Sequence, residues 1–209
     1  MKKITQSAIL ALLLTTSYIK AEIPLYIGFE QSLSYNVKNK TTVDSYYSEA
    51  NTKSPSITSV KIGGILGDNK MGDRVEFLYN FGDKSVNPIG GLNGKDIVSF
   101  NLNYNFTLPS ISPTDELLPY IRLGGSYLIS NDKYQDYSTG EEYNYKAVGV
   151  LLGIGTYYKI TDNIDVSAGF DYGYRLWDDL TYHNNYYGNA TIKSEDKFSK
   201  LYVGANYQF

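Results

Sequence analysis

The sequence predicts an all-β protein, an eight-stranded antiparallel up-and-down barrel that spans a membrane, preceded by a cleaved export signal. Three observations carry that prediction. Beyond residue 21, apolar and polar residues alternate with period two in eight separate segments, the spacing of strands with a single apolar face. The links between those segments are alternately short and long. Finally, 22 tyrosines and 19 glycines against 2 methionines suit such strands and do not suit a helical protein.

The export signal comes first. Met1-Lys2-Lys3 is a cationic start, Ala8 to Leu14 is an unbroken apolar run, and Thr15-Thr16-Ser17 follows. A charged segment, a short apolar core and small residues before a cut are the order of a secretory signal peptide. The apolar core is far short of the roughly 20 residues that a helix needs to cross a bilayer. Ala21 suits the last position before cleavage, giving a signal over 1–21 and one domain over 22–209. A cut after Ser17 is the alternative. Removing 1–21, which holds Lys2, Lys3 and Lys20 and no acid, takes the formal net charge from -3 to -6. An acidic chain with no basic stripe argues against a nucleic-acid partner. The absence of cysteine excludes disulfides and thiolate metal sites.

The strands follow in order. In the first, Leu25, Ile27, Phe29 and Leu33 alternate with Tyr26, Gly28, Glu30 and Ser32. In the second, Val60, Ile62, Gly64 and Leu66 oppose Ser59, Lys61 and Gly63. In the third, Val75, Phe77, Tyr79 and Phe81 oppose Arg74, Glu76, Leu78 and Asn80. In the fourth, Val98, Phe100, Leu102, Tyr104 and Phe106 oppose Ser99, Asn101, Asn103 and Asn105. The fifth sets Ile121, Leu123, Tyr127 and Ile129 against Tyr120, Arg122, Gly124 and Ser126. The sixth sets Val148, Val150, Leu152 and Ile154 against Ala147, Gly149, Gly153 and Gly155. The seventh is the clearest, unbroken from Ile164 to Leu176. The eighth sets Leu201, Val203, Ala205, Tyr207 and Phe209 against Lys200, Tyr202, Gly204, Asn206 and Gln208. Each segment is near the roughly ten residues that a tilted strand needs to cross a bilayer, and no stretch beyond the signal is apolar for long enough to cross as a helix.

The links at Gly67 to Gly72, Thr107 to Leu118 and Lys159 to Asn163 are short. Those at Val37 to Ser54, Gly82 to Gly94, Ser130 to Glu142 and Trp177 to Lys197 are longer and polar. That alternation matches short turns at one membrane face and long loops at the other. With an even strand count, both termini fall on the short-turn side, the periplasm.

Alternation alone does not say which face meets lipid. The polar face mixes glycine and serine with charges, which fits an eight-stranded interior just wide enough for side chains. Aromatic residues collect at the segment ends. Tyr104, Phe106, Tyr157, Tyr158, Tyr207 and Phe209 read as a periplasmic girdle, and Tyr35, Tyr79, Phe81, Tyr127, Tyr174 and Trp177 as an external one.

Tyr207-Gln208-Phe209 resembles the terminal aromatic signal of bacterial outer-membrane proteins. Together with the export signal and the eight segments, it makes the chain resemble the family of small barrels that includes the membrane domain of OmpA, OmpX and the opacity proteins. The resemblance covers the whole of 22–209. It implies an outer-membrane location, external loops, partners in outer-membrane lipid and lipopolysaccharide, and reading of Tyr207 and Phe209 by the barrel-assembly machinery. The peptidoglycan-binding domain that follows the barrel in OmpA has no counterpart here.

The lumen-facing charges are the best-defined candidate site. Strand position places Glu30, Lys61, Arg74, Glu76 and Arg122 in the lower or middle barrel and Asp171, Arg175 and Lys200 higher. Buried charges need partners. The first reading is therefore a salt-bridge network filling the lumen, and the second an ion path through it. The one histidine, His183, lies near Asp178 and Asp179 in the last long link. Rim enzymes acting on lipid A use a comparable histidine, but no matching serine motif accompanies this one. One histidine without cysteine is no basis for a metal centre, and no cofactor motif is present. Gly149, Gly153 and Gly155 keep a strand's period, with no helix after them, so they are not a phosphate loop. The tyrosines of the long links (Tyr134, Tyr137, Tyr143, Tyr145, Tyr182, Tyr186 and Tyr187) suit either contact with an extracellular ligand or the upper girdle. The expected role is non-enzymatic, structural or in surface recognition. A small porin-like channel is the alternative, and a rim enzyme the third.

Overall fold

In a computed structural model, the structure describes residues 23–43, 46–54, 57–67, 72–81, 97–135, 142–184 and 188–209. The expected signal and its cut at Ala21 lie outside these residues, as does the whole of the Gly82 to Gly94 link. Among the described residues there are ten strands: β1 Leu25–Val43, β2 Tyr46–Ser54, β3 Thr58–Leu66, β4 Asp73–Phe81, β5 Ile97–Thr107, β6 Leu117–Gln135, β7 Glu142–Lys159, β8 Ile164–Trp177, β9 Leu180–Asn184 and β10 Gly188–Gln208. All pairings are antiparallel. The order β1-β3-β4-β5-β6-β7-β8-β10 closes on itself through β1 and β10, giving an eight-stranded barrel. β2 pairs with the far half of β1, beyond β3, and β9 pairs with the far half of β10, beyond β8. Each continues the barrel strand next to it in sequence. Both described ends lie at one end of the barrel, where the Phe209 amide donates to the Leu25 carbonyl at 3.0 Å.

The barrel is apolar outside and polar within. Val148, Val150, Leu152 and Ile154 on β7 all face outward and stay more than half exposed, as do Phe29 and Leu33 on β1 and Leu102 and Leu123 on the opposite wall. A continuous apolar belt of this kind is the lipid-facing band of a transmembrane barrel. Inside, the same strands and their neighbours bury Glu30, Glu76, Arg122 and Asp171. The belt ends where the outward residues turn polar: at Ser34 on β1, Lys146 on β7 and Ser199 on β10. The strands continue well past that edge. β1 and β6 run for 19 residues, β7 for 18 and β10 for 21, about twice what a crossing requires. Three of the expected long polar links are therefore largely extensions of the barrel wall.

The girdles differ from expectation at three places. Tyr104, Phe106, Tyr158, Tyr207 and Phe209 face outward at the lower end, and Tyr79, Phe81, Tyr127 and Tyr174 at the upper one. Tyr157, Tyr35 and Trp177 are buried inside the barrel instead. Tyr157 and Trp177 have the inward parity of their strands. Tyr35 is turned inward by a bulge between Ser32 and Ser34, which shifts the register against β10 by one residue. Ser32 is held there from the β3 side: its amide donates to the Ile57 carbonyl, and its hydroxyl accepts from the Ile57 amide.

Candidate functional site

The eight charges that the sequence points to are all buried in the lumen, and two acids join them, Asp165 and Asp196. Among the described residues, five cations (Lys61, Arg74, Arg122, Arg175 and Lys200) then face five carboxylates (Glu30, Glu76, Asp165, Asp171 and Asp196). With every group ionised, this set has no net charge. That matters because the desolvation cost of a buried ion is offset only by close partners.

Six of the ten form a single cluster at mid-height. Arg122, carried by β6, reaches Glu30 on β1 at 3.3 Å, Glu76 on β4 at 3.0 Å and Asp171 on β8 at 3.1 Å. Its Nε donates to Asn105 Oδ1 at 2.9 Å. Lys200 on β10 lies 2.6 Å from Glu30 and 3.3 Å from Asp171, and Lys61 on β3 lies 3.7 Å from Glu76. One guanidinium thus ties together strands on opposite walls, which a planar, multiply donating group does well. Position along the sequence sets Asp171 and Lys200 above Arg122. The structure puts them at one level, with Asp171 in direct contact with both Arg122 and Lys200, because hydrogen-bonded rows rise around a tilted barrel and position along one strand does not give height relative to the next.

The remaining four charges lie at other levels. Towards the lower mouth, Arg74 and Asp165 are paired at 3.0 Å, and Asp165 also accepts from Asn206 and Gln208. Higher up, Arg175 donates to Tyr35 Oη at 2.9 Å, and its guanidinium lies 4.1 Å from the Phe198 ring centre. Asp196 accepts from Asn39 at 2.7 Å and from Trp177 Nε1 at 2.8 Å.

Buried tyrosines complete the network, and alternation alone does not mark them as members of it. Tyr26 and Tyr157 both donate to Glu76 Oε1, at 2.8 and 3.2 Å. Tyr120 and Tyr202 share a hydrogen bond of 2.6 Å. Arg74 stacks 3.8 Å above Tyr157, and Arg122 lies 4.6 Å from the centre of Tyr202, adding cation–π attraction to the ion pairs. For three of these tyrosines the identifying signal is a glycine in the cross-strand register: Tyr26 opposite Gly63, Tyr120 opposite Gly155, Tyr202 opposite Gly169. A Cβ at Gly63 or Gly155 would come within 2.5 Å of the neighbouring ring. Each ring packs against bare backbone and so fills the space left by glycine and shields the strand pair.

Above this level the lumen changes character. Leu128, Tyr145, Ala147, Trp177 and Leu180 form an apolar cluster, with the Tyr145 and Trp177 rings stacked 4.8 Å apart. Tyr35, Val37, Ile57, Leu151 and Phe198 form another. Tyr145 is therefore a buried core residue, not a loop contact. His183 lies in β9, paired through its backbone with Asn189. Tyr137, Tyr186 and Tyr187 fall outside the described residues.

No protein-family model matches the chain, and no curated protein matches it either. The solved structures it is similar to include three small outer-membrane barrels. Neisserial surface protein A has 16% identity and a TM-score of 0.42, over 88% of this chain and 97% of that one. The N-terminal barrel domain of Pseudomonas aeruginosa OprF has 13% identity and a TM-score of 0.44, again over 88% and 97%. The outer-membrane protein AlkL has 14% identity and a TM-score of 0.48, over 90% of each chain.

Proposed function

We propose that this chain is an integral bacterial outer-membrane barrel with a non-enzymatic role. Its lumen is filled rather than open, and its long strands form a rigid base for surface recognition. The observation that carries this reading is the Arg122 cluster, which spans the lumen from β6 to β1, β4 and β8 with no net charge. Two apolar clusters lie above it. The shared end of the described chain faces the periplasm, and the extended ends of β1, β6, β7 and β10 stand outside the cell. Tyr207 and Phe209, outward-facing at the seam and in edge-to-face contact, serve the assembly machinery. Lipid, lipopolysaccharide and an extracellular ligand above the strands are the remaining partners.

The test is single-channel conductance of the refolded chain in a planar bilayer, after a heat-modifiable gel shift verifies the barrel. Silence is expected. Discrete steps that change when Arg122 or Glu76 is neutralised would replace this reading with the second one, a small porin-like channel. One observation favours that second reading. Asn101, Asn103 and Ser126 carry buried polar atoms without a hydrogen-bond partner, on the adjacent strands β5 and β6. Groups of this kind favour hydration.

A further inference from the structure

The outer wall of the barrel carries a feature that the filled lumen does not explain. Val150, Tyr174, Lys197 and Lys38 are successive register partners on β7, β8, β10 and β1. All four face outward. Along one hydrogen-bonded row, the wall thus passes from aliphatic to aromatic to two ammonium groups, at the rim of the apolar belt. Lys38 and Lys197 stand directly opposite each other, a like-charge pairing that destabilises a sheet. Neither register partner of Lys197 is a carboxylate. Glu195, two residues along, accepts from the Tyr174 hydroxyl at 2.6 Å. Glu49 lies 2.8 Å from Lys38 on the far side, and this hydrogen-bonded pairing holds its carboxyl below the usual carboxylate range.

We infer that Lys38 and Lys197 form a seat for the phosphate of a membrane lipid in the leaflet around the upper rim. The inference rests on the membrane-barrel reading above. Two ammonium groups beside a tyrosine, at the level where hydrocarbon gives way to headgroups, match the charge and height of a phosphorylated headgroup. Glu49 competes with that phosphate for Lys38.

The test refolds the chain into phosphatidylcholine nanodiscs containing a small fraction of lipid A and counts the lipid A retained per barrel by native mass spectrometry. The Lys38→Gln/Lys197→Gln double variant should weaken retention by about thirtyfold, at the strength typical of basic residues near an anionic surface. Lys38→Arg/Lys197→Arg should restore it. Glu49→Gln should increase retention, a gain that misfolding would not produce. Equal retention by the double variant, equal retention of dephosphorylated lipid A, or full displacement by millimolar inorganic phosphate would overturn the inference, the last by making this a site for free anions. A chain with no heat-modifiable band would instead count against the barrel reading itself.

Discussion

The membrane half and the outer half of this barrel share strands and an inside–outside alternation, yet their chemistry is inverted. In the membrane half, β7 shows Val150, Leu152 and Ile154 to lipid, while β8, β6 and β10 turn Asp171, Arg122 and Lys200 inward. In the outer half, above the apolar belt, β1 and β10 carry Lys38, Lys40, Lys193 and Lys197 on the outer face and turn Val37, Phe198 and Asp196 inward. The alternation records only that a sheet has two faces. The solvent decides which face is apolar, and one strand that crosses two solvents must exchange its faces along its length. The upper half encloses apolar clusters, as a soluble core does, beside a polar row of Asn39, Thr41, Ser194 and Asp196, and the lower half is the reverse of a soluble core.

The largest test of this contrast removes the centre of the lower half. Arg122→Leu leaves Glu30, Glu76 and Asp171 without their shared partner, and breaking a buried ion pair in this way costs about 3–5 kcal/mol. Loss of the heat-modifiable band, or a fall of that size in urea stability in micelles, is expected. Unchanged stability would mean that the cluster is not what holds the membrane half together. In the outer half, Tyr145→Ala removes one face of the stack on Trp177, a loss of about 3 kcal/mol for a buried aromatic. Trp177 is the chain's single tryptophan, so its fluorescence reports that half alone. Early unfolding of the Trp177 signal, with the gel shift retained, would show that the halves are separable. Simultaneous loss would show one cooperative unit.

Gly155→Ala is a smaller perturbation. It pushes a methyl group into Tyr120, which stacks on Tyr157 at 4.5 Å, and overpacking of this kind costs about 1–3 kcal/mol. Combining it with Tyr120→Ala should recover part of that loss. The smallest effect belongs to the outer face of the outer half. Glu49→Gln breaks a surface ion pair with Lys38 and should leave thermal stability unchanged, since exposed pairs contribute little.

Much of the barrel is legible in the sequence because period two is a local property, carried by neighbouring residues. Parity alone places Glu30, Arg122 and Lys200 on the inner face, and it assigns Tyr157 and Trp177 there as well. For those two, ring type points the other way, towards a membrane interface, and position along the strand prevails. Tyr35 is not recoverable in the same manner, since one extra residue between Ser32 and Ser34 reverses the phase and leaves no compositional mark. Asp196 escapes notice because the alternation of the last strand becomes plain only from Phe198, whereas β10 starts at Gly188. The contacts among Arg122, Asp171 and Lys200 depend on the stagger between strands, which no single segment encodes.

The seam between β1 and β10 sets the order in which the molecule can be made. Lys200 meets Glu30 across 170 positions of chain, among the most distant contacts a protein of this length can form. Closing so long a loop is slow and gains nothing until both edges meet. Until β10 docks, Glu30 lacks Lys200, Asp165 lacks Asn206 and Gln208, and the hydrogen-bonding edges of β1 and β8 are bare. Such an intermediate is poorly suited to hydrocarbon, where unpaired backbone groups are costly. Insertion and closure should therefore be a single event, with the last strand made acting as the trigger.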